Sequence, residues 1–143
     1  ILIEFYFYIT CNFSRNIQQI VKKDFLHIDM PLARSLKDRK KITVCAGGRS
    51  AITDVQVLER FGDITYLKAH LETGRTHQIR LHASALKLPI INDVLYGVKE
   101  PSAKSMGLCA WKLKWKTPFT GVIQSAEASI PEDLKQFAAK GEV

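Results

Sequence analysis

Three stretches of this chain alternate between apolar and polar side chains with a period of two, and that period constrains its fold more than any other feature. Ala51 to Leu58 puts Ala51, Thr53, Val55 and Val57 on one face. Ile64 to Leu71 puts Leu67, Ala69 and Leu71 on one side and Tyr66, Lys68 and His70 on the other. Leu108 to Lys116 sets Cys109, Trp111, Leu113 and Trp115 against Lys112, Lys114 and Lys116. Such runs are half-buried strands. The Gly-bearing loop Glu59-Arg60-Phe61-Gly62-Asp63 joins the first two as an antiparallel hairpin, and Pro118-Phe119-Thr120-Gly121 turns the third into a partner strand, Val122 to Ile130. The opening residues 1–9 are β-branched and aromatic and read as one more strand.

Helical signals are sparser. Ile17, Ile20 and Val21 can form one face of a helical turn in an otherwise weak stretch. Thr76 is the expected N-cap of a helix running to about Leu88, with Ile79, Ala83 and Leu86 on its apolar face and His77, Arg80, Ser84 and Lys87 on the polar one. Pro89 stops it, and residues 89–107 are rich in turn formers and read as a long loop. Pro131, followed by Glu132 and Asp133, opens a last helix. Strands in runs with few helices between them predict an α+β domain, a mixed but mainly antiparallel sheet flanked by a few helices. The 143 residues are expected to form one domain.

Composition narrows the function classes. Apolar residues at 46% and charged residues at 24% exclude a disordered chain. Twenty-one basic against 14 acidic residues leave +7, which favours a polyanionic partner, nucleic acid before membrane. The excess concentrates between Arg34 and Arg49, where Arg34, Lys37, Arg39, Lys40, Lys41 and Arg49 face the single acid Asp38. The first residues are apolar but too few to span a bilayer, and they carry Glu4. Cys11, Cys45 and Cys109 are odd in number and far apart, which argues against a disulfide framework and for a reduced, intracellular setting. The spacing of His70, His77 and His82 does not suit zinc, so no metal is expected.

The densest chemistry lies in Leu71-Glu72-Thr73-Gly74-Arg75-Thr76-His77-Gln78-Ile79-Arg80-Leu81-His82. A strand end, a glycine bend and a helix start beside two arginines suit a phosphate or carboxylate, although a solvated helix face fits the same pattern. This run resembles the signature of the RluA family of RNA pseudouridine synthases. The likeness extends to Ile28-Asp29-Met30-Pro31-Leu32-Ala33-Arg34, to Gly48-Arg49-Ser50-Ala51-Ile52-Thr53, to Leu88-Pro89-Ile90 with Asp93 and Leu95-Tyr96-Gly97, and to the last hairpin, where Cys109 stands in a usual histidine position. It covers roughly residues 28 to 135.

The resemblance implies a catalytic domain that isomerises uridine to pseudouridine in structured ribosomal or transfer RNA, without metal or organic cofactor. It implies Arg80 as the partner of a nucleophilic aspartate, and Tyr6 or Tyr8 as the active-site tyrosine. Arg34, Arg39, Lys40, Lys41, Arg75, Thr76, His77 and Gln78 are the implied RNA contacts. The aspartate of the family's His-Arg-Leu-Asp motif has no counterpart in the sequence. The chain is therefore expected to be the C-terminal part of such a domain, with residues 1–27 poorly matched, inactive alone, and completed by an upstream part. A monomer in the cytoplasm or an organelle matrix is expected, with no membrane partner. The alternative is a non-catalytic RNA-binding module of the same fold.

Overall fold

A computed structural model of the chain describes residues 3–12, 24–61, 64–101 and 103–137. Its elements are strands β1 (Ile3–Asn12), β2 (Phe25–Asp29), β3 (Leu32–Arg34), β4 (Ile42–Val44), β5 (Ile52–Phe61) and β6 (Ile64–Leu71), helix α1 (Gln78–Ala85), then β7 (Leu108–Lys116), β8 (Ile123–Glu127) and a closing 3₁₀ helix (Glu132–Phe137). Six strands form one sheet in the order β2-β5-β6-β1-β7-β8, and β3 pairs with β4 in a separate ribbon. Every strand pairing is antiparallel. The single parallel pairing among the described residues is an isolated bridge between Ile91 and Val98.

The period-two readings place the hairpin correctly. β5 pairs with β6 from Thr53 opposite Leu71 to Phe61 opposite Ile64, and Ala51, Thr53, Val55 and Val57 are buried as the alternation requires. The apolar opening segment is β1, inserted between β6 and β7 in the middle of the sheet. Phe7, Ile9 and Cys11 of β1 join Val55, Val57, Leu67 and Ala69 on one face, which α1 covers with Ile79 and Ala83. Leu88 and Ile90, almost fully buried in the same cluster, each contribute about 2 kcal/mol by leaving water. Tyr8 points to the other face, into a second cluster with Ile64, Tyr66, Ile91, Ala103, Ile130 and Leu134.

Several expectations are corrected. β7 does not keep one alternation along its length. Tyr8 pairs with Cys109 and Phe7 with Ala110, but Tyr6 pairs with Lys112, so Trp111 is an extra residue in a bulge. One inserted residue inverts the faces beyond it. Cys109 and Trp111 therefore lie on the Tyr8 side, where Trp111 stacks on Tyr8 at 4.7 Å, while Leu113 and Trp115 fall on the α1 side, in register with Phe5 and Ile3. Helix α1 is shorter than expected: its N-cap is His77, not Thr76, and it ends at Ala85. Lys87 takes a left-handed φ of 61°, and the bonds Lys87 N–H to Ser84 O and Leu88 N–H to Ala83 O close a Schellman turn ahead of Pro89. The helix after Pro131 is a 3₁₀ helix. The helical turn expected around Ile17, Ile20 and Val21 lies outside the described residues.

The described residues between 89 and 107 form a loop held at both ends. Its ends are tied to β1 by Ile91 N–H to Thr10 O and Thr10 N–H to Gly107 O. Asn92 gives its side-chain amide to Ala103 O and Ser105 O. Among the described residues no helix is long and apolar enough to cross a membrane.

Candidate functional site

The motif after β6 folds around a buried glutamine. Gln78 is 2% exposed. Its Oε1 accepts from Thr73 Oγ1 and from Arg75 N–H, and its Nε2 donates to Ile52 O and Thr53 Oγ1. All its bonding capacity is spent on tying the bend to β5, which corrects its assignment as an RNA contact: a side chain sealed from solvent cannot meet RNA. Gly74 is not the conformational key of the bend either, since it has no positive φ and a Cβ there meets nothing within 4 Å. The left-handed residue is His77, at φ 57°. Of the other motif histidine, both ring nitrogens are engaged, Nδ1 with Thr53 Oγ1 and Nε2 with Met30 O, so His82 is a structural residue.

Arg80 is held from within the chain. Its Nε donates to Asp93 Oδ2 at 2.8 Å and its Nη2 to Asp93 Oδ1 at 2.7 Å. The Asp93 side chain is fully buried and also accepts the N–H groups of Leu95 and Tyr96. Burial alone would push this carboxyl up, but the Arg80 fork and the two N–H donors outweigh it and hold it below the usual range. The guanidinium lies over the Tyr96 ring, 5.3 Å from its centroid. The Tyr96 hydroxyl accepts Ile42 N–H at 2.9 Å and lies 3.1 Å from His77 Nδ1. Asp93 and Tyr96 thus complete a cluster with His77 and Arg80 that sequence spacing did not reveal. A signal was present: an arginine inside an amphipathic helix needs an acid, and Asp93 sits in the turn-rich segment that follows.

Beside this cluster runs a basic groove. Arg34, Arg49, Arg75 and Thr76 line a cavity of about 430 Å³ together with Gly47 and Gly48. A Cβ on Gly48 would stand 2.6 Å from the Leu32 backbone, so glycine lets the 45–49 turn close against β3. Arg75 is aimed by its Nε bond to Ser50 O. Three of the expected contact residues, Arg34, Arg75 and Thr76, meet here, joined by Arg49. Arg39, Lys40 and Lys41 are not among the lining residues; they sit on the turn between β3 and β4, whose Arg39 carbonyl accepts from Arg34 Nη1.

Tyr6 and Tyr8 do not converge with Arg80. Successive β1 side chains point to opposite faces, and the α1 side carries Phe5, Phe7 and Ile9. Tyr8 is buried between Tyr66 and Trp111. Tyr6 lies on that far face in a row with His27, Asp54 and His70, its hydroxyl bonded to Glu4. Neither tyrosine shares a site with the arginine, because α1 packs on the other face of the sheet. The donor atoms of His27, Asp54 and Glu72 lie within 4.8 Å of one another near this row.

Fold and site together define a class: a basic α+β domain that presents an arginine-lined groove beside a bidentate Arg–Asp pair. The chain belongs to the RNA pseudouridylate synthase family, whose sequence model matches residues 5–85. It is 36% identical over 130 residues to the uncharacterized RNA pseudouridine synthase YlyB of Bacillus subtilis, covering 90% of this chain and 43% of that protein. It is 40% identical over 123 residues to ribosomal large subunit pseudouridine synthase D of Xanthomonas campestris, covering 76% of this chain and 37% of that protein. The chain thus spans less than half the length of these relatives. The solved human RNA pseudouridylate synthase domain containing 1 superimposes with a TM-score of 0.71 at 23% identity, over 91% of this chain and 55% of that one, and shows the same fold.

Proposed function

We propose that this chain is the RNA-gripping part of an RluA-type pseudouridine synthase domain acting on ribosomal RNA of the large subunit. The observation that carries the reading is the groove of Arg34, Arg49 and Arg75 opening beside His77 and the Arg80–Asp93 pair. Planar guanidinium forks suit backbone phosphates, and the groove residues bring them without a metal. The ribosomal substrate is carried over from relatives named for it.

In the reaction, the bond from ribose C1′ to N1 of uridine breaks, the base turns, and a bond from C1′ to C5 forms. The C5 hydrogen leaves to solvent and N1 gains one. A nucleophilic aspartate from a segment outside this sequence is expected to open the glycosidic bond. Arg80 keeps Nη1 without a partner among the described residues, so it has one edge left for that carboxylate while Asp93 occupies the other. Tritium release from RNA labelled at uridine C5 tests the assignment: the 143-residue chain alone is expected to release none above background. Sustained release by the purified chain overturns the division of labour.

RNA affinity tests the groove separately. Arg75→Ala should lower the slope of log affinity against log salt by about 0.7–0.9, the loss of one phosphate contact. An Arg39/Lys40/Lys41 triple alanine variant, which leaves the groove lining intact, should change it less per charge removed. Equal slopes for the wild type and Arg75→Ala would take Arg75 out of the interface.

A further inference from the structure

His77 is the residue of the site whose chemistry the resemblance leaves open. A histidine at φ 57° occupies a conformation that glycine adopts more cheaply, so its side chain must justify the position. The hydrogen bonds around it favour one tautomer. Tyr96 Oη already accepts the Ile42 N–H at 2.9 Å and has one proton to give. His77 Nδ1, 3.1 Å away, takes that proton as acceptor. If Nδ1 carried a hydrogen instead, the hydroxyl would accept twice and its own proton would have no acceptor among the described residues. In that arrangement the neutral ring bears its hydrogen on Nε2, which has no partner among the described residues.

The surroundings keep the ring neutral. Burial lowers its proton affinity and the nearby Arg80 lowers it further, with Asp93 acting in the opposite sense. The groups facing it are Arg80 from α1 and Asp93 and Tyr96 from the following loop; the strand residue bonded to the same hydroxyl, Ile42, is apolar. Arg80 and Asp93 neutralise each other, so the corner beside the groove is polar without net charge. Thr76, the chain neighbour of His77, lines the groove itself.

We propose that Tyr96 locks His77 as a neutral imidazole whose Nε2–H grips an oxygen acceptor of the RNA at the edge of the basic groove, supplying direction and not charge. This rests on the RNA-binding reading above. Tyr96 is then a positioning residue, acting only through His77.

Two measurements test it. Nitrogen-15 spectra of the histidine rings in the wild-type chain should show His77 as the Nε2–H tautomer at pH 7, and Tyr96→Phe, which removes the proton donor to Nδ1, should bring in the Nδ1–H tautomer. Salt titrations with a ribosomal stem-loop RNA should show His77→Gly, a change that suits the left-handed backbone, weakening binding about five- to tenfold with an unchanged salt slope. An Nδ1–H tautomer in the wild-type chain, a His77→Gly variant that binds as tightly as the wild type, or one whose slope falls like that of Arg75→Ala overturns the proposal. A wild-type chain that binds no RNA instead overturns the functional reading, while the ring spectra still judge the Tyr96 lock.

Discussion

Asp93→Ala is expected to remove a large share of the folding free energy, about 3–5 kcal/mol, because it leaves Arg80 as an uncompensated charge in a mostly buried place. The N–H groups of Leu95 and Tyr96 lose their acceptor in the same step. Against a total stability of about 5–15 kcal/mol for a domain, this should lower the thermal midpoint by roughly 10 °C. Asp93→Asn keeps an acceptor for the loop N–H groups and should cost less. Urea unfolding of the three proteins checks the order, and an Asp93→Ala variant within 0.5 kcal/mol of the wild type would show that the pair contributes little. The same carboxylate sets an acid limit. Its folded proton affinity lies below that of an unfolded aspartate at about 3.9, so its contribution is fully present above that value and is lost as pH falls through the folded one. Asp93→Asn should therefore flatten the acid limb of the stability profile below about pH 4.

Gln78→Ala carries the second large effect. The substitution strands the Arg75 N–H beside a cavity and takes one of two partners from Thr73 Oγ1, Ile52 O and Thr53 Oγ1, which keep Ile52 N–H, Glu72 N–H and His82 Nδ1. With one unsatisfied group at about 1–3 kcal/mol and three further bonds lost at about 1 kcal/mol each, less partial relaxation, the loss should be roughly 3 kcal/mol. RNA affinity per folded molecule should stay within twofold of the wild type, since Gln78 reaches no solvent. Measuring the urea midpoint and RNA binding on the same preparation separates the roles. Weakened binding at unchanged stability would return Gln78 to the RNA contacts.

The roles of these two residues depend on contacts that are distant in sequence. Gln78 lies in the most recognisable run of the sequence, and a polar side chain beside Arg75, Thr76 and His77 reads as part of a contact surface. Only the return of the chain against β5 shows that its amide is consumed by Ile52 and Thr53, residues more than twenty positions away. Asp93 stands thirteen residues beyond Arg80, a separation with no helical or strand period, and the loop that delivers it is shaped by Gly97, where a Cβ would stand 2.0 Å from Ile90 O. β7 failed in another way. Its alternation is regular in sequence, yet the bulge at Trp111 follows from pairing with β1, because Tyr8 and Tyr6 offer an aromatic pocket that takes Trp111.

The sequence by itself determined the elements whose cause is local: the period-two hairpin of β5 and β6, the central apolar β1, the helix that begins in the motif and stops before Pro89, and the basic charge that calls for a polyanion. The twelve-residue run was specific enough to carry the family as well. Tertiary structure alone decided which residues face one another. It put Arg34, Arg49 and Arg75 around one groove, gave Arg80 to Asp93, set His77 against Tyr96, and sent Tyr6 and Tyr8 to the far side of the sheet. Side-chain periodicity encodes the face of an element within a few residues, whereas the partner across a face depends on register, bulges and loop closure, which are settled by the packing of the whole sheet.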